Sequence, residues 1–81
     1  MVTNFMLRIR STLEARGKSR SAHYLDIQRG LCVKPVRISA RAVAWPQQEI
    51  EALIAAQIAG KSDDELRTLV KSLEAARKGQ A

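Results

Sequence analysis

Apolar residues along this chain follow two rhythms. From Met6 to Arg10 the sequence reads M-L-R-I-R, with Leu7 and Ile9 alternating with Arg8 and Arg10, and that period of two predicts a short strand or an extended lead-in. Val36, Ile38, Val43 and Trp45 are spaced by twos on either side of Ser39-Ala40-Arg41, which predicts a hairpin pairing Pro35–Ile38 with Ala42–Trp45 and carrying Arg37 and Arg41. Further on the rhythm becomes helical. Ile50, Leu53, Ile54 and Ile58 recur at i, i+3, i+4 and i+8, and Leu66, Leu69, Val70, Leu73 and Ala76 form a second stripe.

The residues between these stretches mark boundaries. Ser11 or Thr12 is placed to cap a short helix with Leu13 facing inward, and Gly17 stops it. Ser19 is the expected N-cap of a helix over Arg20–Arg29, and Gly30 suits the left-handed position that ends it. Gly17-Lys18-Ser19 then joins two short helices with helix-turn-helix spacing. Pro35 forces Lys34 into an extended conformation. Pro46 is expected at the first position of the next helix. Gly60-Lys61 breaks that helix, and Ser62-Asp63-Asp64-Glu65 reads as a capping box. Arg77 and Lys78 are placed to complement the end of the last helix dipole, and Gly79 to Ala81 are expected to fray. The fold class is therefore mostly α with a small β-hairpin: a winged helix-turn-helix domain over residues 1–60, and an additional C-terminal helix within 61–81 that packs on the domain or forms a dimer contact.

Length narrows the function. The 81 residues leave room for one small domain with a thin core, in which a deep catalytic cleft is hard to build. The chain is expected not to be an enzyme. Its lone Cys32 cannot form an internal disulfide, which points to a reducing compartment. No run approaches the roughly 20 apolar residues of a membrane span, and Met1 to Arg10 lacks the apolar stretch of a signal peptide. A cytoplasmic protein is expected, with no membrane partner.

Charge adds more. The formal net charge is +6. It is unevenly placed, with nine basic residues against two acidic ones from Met1 to Pro46, and five against six from Gln47 to Ala81. Apolar residues interleave with the charges of the first half, so it is expected to fold and to present a surface suited to a polyanion.

Candidate chemistry is sparse. One His and one Cys cannot build a tetrahedral metal site, and four scattered glycines make no phosphate loop. No catalytic residue, metal, cofactor or small-molecule substrate is expected. Cys32 reads as a small buried apolar side chain. His23, three residues before Asp26 on a helix, is placed to share a hydrogen bond with it and to serve a structural or DNA-facing role. Asp63 and Asp64 suit a helix first turn. The nucleic-acid constellation is richer. Arg20, Ser21, Tyr24 and Gln28 put donors along one helix face whose N-terminal end can reach base edges in a major groove. Arg pairs with guanine and Gln with adenine. Lys18 and the helix N-terminus suit a phosphate. Arg41 at the hairpin tip suits the adjacent minor groove, with Lys34 and Arg37 beside it.

S-R-S-x-x-Y, then Gly30, K-P-V-R-I and R-A-V-A-W-P-x-x-E-I closely resemble the AlpA family of prophage regulatory proteins over about Met6 to Ile58. The resemblance implies a small winged-helix protein with a MerR-like, excisionase-related fold that binds DNA. It makes Ser19, Arg20, Ser21 and Tyr24 the start of the recognition helix, Arg41 the wing-tip Arg, and Trp45 a packing residue under the wing. Where the family usually carries Gly before that Arg, this chain has Ala40.

The expected function is a sequence-specific, double-stranded DNA-binding transcriptional regulator of a prophage or integrated element, in the bacterial cytosol and nucleoid-associated. The alternatives are a DNA-bending, excisionase-type directionality factor, and a protein-interaction module with a solvated basic face. A homodimer through the C-terminal helix is a further expected partner. RNA binding is less supported, because Phe5, Tyr24 and Trp45 are expected to lie too far apart for a stacking platform.

Overall fold

The computed structural model describes residues 5–80. In chain order the elements are β1 (Met6–Leu7), α1 (Ile9–Arg16), α2 (Arg20–Gln28), β2 (Val36–Ser39), β3 (Ala42–Pro46), α3 (Gln47–Ile58) and α4 (Asp63–Ala76), then a 3-10 turn at Arg77–Gln80. Four helices thus surround a small antiparallel sheet of order β1-β3-β2, the mostly α architecture with a hairpin that the sequence pattern implies.

The M-L-R-I-R segment is a strand only at Met6–Leu7, paired with Pro46 and Trp45 of β3. The pairing holds the chain extended to Arg8, and α1 begins directly after it. Arg8 is the N-cap, with no side-chain cap bond. Neither Ser11 nor Thr12 caps. Thr12 is fully buried, and its hydroxyl donates to the carbonyls of Arg8 (2.9 Å) and Leu7 (3.3 Å). Leu13 is only half-buried. Gly17 ends α1 with φ at 67°, and the N–H groups of Gly17 and Lys18 both reach the Leu13 carbonyl. A side chain disfavours that left-handed conformation. Ser19 then caps α2 by accepting from the Ala22 N–H at 3.2 Å. The helix closes at Gln28, one residue short of the expected end, with Arg29 as its C-cap.

In the hairpin Val36 faces Ala44, Arg37 faces Val43, and Ser39 faces Ala42, with an irregularity between Arg37 and Ser39. The register shift leaves Ile38 44% exposed. Ala40 turns the chain without a positive φ, which no non-Gly residue has among those described. β3 is the central strand, and its consecutive residues Ala44 and Trp45 are both fully buried. Pro46 belongs to this strand rather than to the next helix. It pairs with Met6, and the Gln47 N–H donates to the Phe5 carbonyl at 2.7 Å, so α3 starts one residue late.

Trp45, Ile50, Leu53, Val33, Cys32 and Val70 form the core, with Leu7, Ile9, Ile27, Ile54, Leu69 and Leu73 packed around it. The α3 stripe outlasts the surface it covers, and Ile58 is 82% exposed. α4 opens with a complete capping box: Ser62 N–H to Glu65 Oε1 at 2.8 Å, and Glu65 N–H to Ser62 Oγ at 3.2 Å. Leu66 and Val70 are buried while Ala76 is exposed. The backbone does not simply fray after Ala76. It tightens into the 3-10 turn through Gln80, and Ala81 lies outside the described residues. Arg77 does not point along the helix axis to serve the dipole; it reaches across to Glu49. The pull of a buried carboxylate exceeds that of a partial charge at a helix end.

Candidate nucleic-acid interface

On a wheel advancing about 100° per residue, Arg20, Ser21, Tyr24, Leu25 and Gln28 occupy one arc of roughly 140°. All five are exposed. His23 and Asp26, on the opposite side, are buried. α2 therefore presents Arg20, Ser21, Tyr24 and Gln28 outward together, with Leu25 (42% exposed) among them.

α2 carries few apolar side chains inward, and a polar joint fastens it instead. Arg16, at the end of α1, has a side chain only 1% exposed. Its Nη2 donates to Asp26 Oδ2 at 3.0 Å and its Nη1 lies 2.9 Å from His23 Nδ1. Lys18, in the turn, also pairs with Asp26. A guanidinium can only donate, so His23 Nδ1 accepts and the imidazole is neutral, with its proton on Nε2. That Nε2 is buried without a hydrogen-bond partner among the described residues. Burial, with Arg16 beside it, lowers the His23 pKa from 6.5 to about 4. Burial opposes the charge of Asp26, but hydrogen bonds from Lys18 and Arg16 outweigh it and hold that carboxyl below its ordinary value. The expected His23–Asp26 hydrogen bond is absent from the described contacts: Arg16 bridges the two residues. The ion pair across the turn joins residues of different elements, and only the clustering of Arg16, Lys18 and Asp26 around a Gly turn could have signalled it.

His23 also packs edge-on against Trp45 (ring centroids 4.8 Å apart) and Tyr24 (5.4 Å). Tyr24 and Trp45 are 6.2 Å apart, so these aromatics are neighbours, contrary to expectation. Trp45 is nonetheless fully buried, with Nε1 donating to the Val33 carbonyl at 3.1 Å, so it offers no open face for a base. Cys32 is 1% exposed, and burial raises its thiol pKa.

On the hairpin side, Lys34, Arg37 and Arg41 are all exposed. Arg37 reaches the Ala40 carbonyl at 3.4 Å, across the turn that carries Arg41. Arg8, Arg10 and Arg29, which the sequence reading did not single out as contacts, are exposed as well. Of the nine cations between Met1 and Pro46, only Arg16 and Lys18 are spent on Asp26. The other seven face solvent. No group of three or more His, Cys, Asp or Glu that could hold a metal ion occurs among the described residues. No helix is long and apolar enough to cross a membrane.

The fold is thus a small helical body whose exposed cations gather in the half of the chain that holds α2 and the hairpin. Residues 5–58 match the family described as Prophage CP4-57 regulatory protein (AlpA), and the chain belongs to that family of prophage regulators. The matched stretch runs from β1 through α3 and stops before α4. No match was found among curated proteins or solved structures.

Proposed function

We propose that this chain is a sequence-specific, double-stranded DNA-binding transcriptional regulator of a prophage or integrated element. The observation that carries the reading is the partition of charge: seven exposed cations gather on the half of the chain that holds α2 and the hairpin. In this reading α2 enters the major groove. Arg20, Ser21, Tyr24 and Gln28 face base edges there. The hairpin acts as a wing, with Arg41 in the adjacent minor groove and Lys34 and Arg37 on phosphates. Lys18 sits at the N-terminal end of α2, where its charge is shared between Asp26 and a phosphate. The family supports a regulatory role, and the docking surface serves a transcriptional regulator or a DNA-bending recombination factor alike.

The test is selection from a random double-stranded DNA pool at two salt concentrations. Neutralising about four to six phosphates makes log K fall with log salt at a slope of roughly −4 to −5. An enriched motif that persists at the higher salt is the expected result, and its symmetry reports whether one chain or a dimer binds. Weak binding with no motif, lost as salt rises, refutes sequence-specific recognition.

A further inference from the structure

Between α2 and β2 the chain has no regular structure; this connection links the helix to the hairpin, whose Trp45 also packs on His23 of α2. The C-terminal part of the chain grips the connection at both ends. At the α2 end, Arg67 Nε donates to the Arg29 carbonyl at 3.0 Å. At the hairpin end, the Lys34 N–H donates to Glu74 Oε2 at 2.8 Å. The Lys34 carbonyl accepts from Arg77 Nη2 at 2.7 Å. The same Nη2 is 2.6 Å from Glu49 Oε1, and Arg77 Nε is 3.0 and 3.2 Å from the two carboxylate oxygens, so Arg77 also ties the connection to the first turn of α3.

We propose that Arg67, Glu74 and Arg77 are positioning residues for DNA binding, which fix the spacing between the outward face of α2 and the hairpin. The proposal rests on the DNA-binding reading above. Lys34 and Arg29 are exposed, so water could satisfy their backbone groups and folding does not require these bonds. What the bonds supply is a fixed distance. Major and minor grooves on one face of a duplex are offset by half a helical turn, about 17 Å. Two contacts on one chain reinforce each other only when their separation matches that offset. All three residues lie beyond the stretch that matches the family.

The test pairs a distance with an affinity. Spin labels on Ser21→Cys and Ser39→Cys read the separation of α2 and hairpin directly, since Cys32 is buried at 1% exposure. Arg67→Ala and Glu74→Ala leave no buried charge unpaired, and Glu74→Gln keeps an acceptor for the Lys34 N–H. Arg77→Lys keeps a charge beside Glu49 while giving up the fork to the Lys34 carbonyl. Expected are broadened distances for Glu74→Ala, Arg67→Ala and Arg77→Lys, and recovery in Glu74→Gln. On a duplex carrying the selected motif, Glu74→Ala weakens binding about fivefold, and less than twofold once Arg41→Ala has removed the hairpin's minor-groove contact. Unchanged distances, or equal losses in both backgrounds, overturn the positioning role while the DNA reading stands. A wild-type chain that selects no motif overturns both.

Discussion

Acid should loosen this protein through a single side chain. His23 is the only histidine in the sequence. It is fully buried, and its Nδ1 faces a guanidinium at 2.9 Å. Its pKa is about 4 in the folded chain against 6.5 as a free side chain. Between those values the unfolded chain binds a proton that the folded chain refuses, so stability is full above pH 6.5 and is lost as pH falls toward 4. Working the linkage from pH 7 to pH 5 gives a loss of about 2 kcal/mol. For a domain of this size that corresponds to a fall of roughly 8–16 °C in Tm. Asp26 and Glu65, both held below the ordinary carboxylate range by their hydrogen bonds, contribute little over this interval. The assay is urea unfolding followed by circular dichroism at pH 7 and 5, on the wild type and on His23→Gln, which keeps an acceptor for Arg16 but cannot take up the proton. The wild type should lose stability and the variant should hold nearly constant. Equal stability of the wild type at both pH values, or an imidazole titration midpoint near 6.5, would refute the buried neutral joint.

Asp26→Asn removes the carboxylate from Arg16, whose side chain is 1% exposed, and should cost about 3 kcal/mol in thermal unfolding, the lower end for a broken buried pair because Asp26 touches solvent. A loss under about 1 kcal/mol would show that Arg16 is solvated. Ser62→Ala opens the capping box and should cost about 1 kcal/mol, read from the unfolding midpoint in urea, with little change in DNA affinity. Arg41→Ala should weaken DNA binding and reduce the salt slope by about 1, whereas Arg20→Ala should relax preference at one base pair by about 1–3 kcal/mol in a repeated selection. Two variants with wild-type binding profiles would sink the assignment of α2 and hairpin to the grooves.

Features that depend on neighbours in sequence were legible from it. Ser62-Asp63-Asp64-Glu65 encodes its own cap, and Ser19 caps α2 through an amide three residues on. Gly17 stops α1 because few other residues tolerate its backbone angles. The two halves of the hairpin declare themselves by β-type residues on either side of a polar turn. Features that depend on partners far along the chain were not legible. Pro46 is the residue of choice to open a helix, but pairing with Met6 keeps it in the strand. Thr12 resembles a cap, but once β1 has ended the helix is already running and the hydroxyl turns inward. Of the candidate contacts, Arg20, Ser21, Tyr24 and Gln28 share one outward arc, as helical spacing requires. Lys18 is drawn to Asp26 by an ion pair that no local pattern announces. The grip of α4 on Lys34 spans some forty positions of sequence and links an exposed Lys34 to a half-buried Glu74 that no local pattern pairs.

Trp45 is the chain's single tryptophan, and its surroundings make it an optical gauge of the joint on which the whole arrangement turns. Its indole touches the His23 ring on α2 and donates to the Val33 carbonyl in the connection, while its backbone belongs to the hairpin. The emission of one fluorophore therefore samples helix, connection and strand at once. An imidazolium quenches indole emission where a neutral imidazole does so far less, so the colour and intensity of that light report opening of the joint and protonation of His23, without any label being attached.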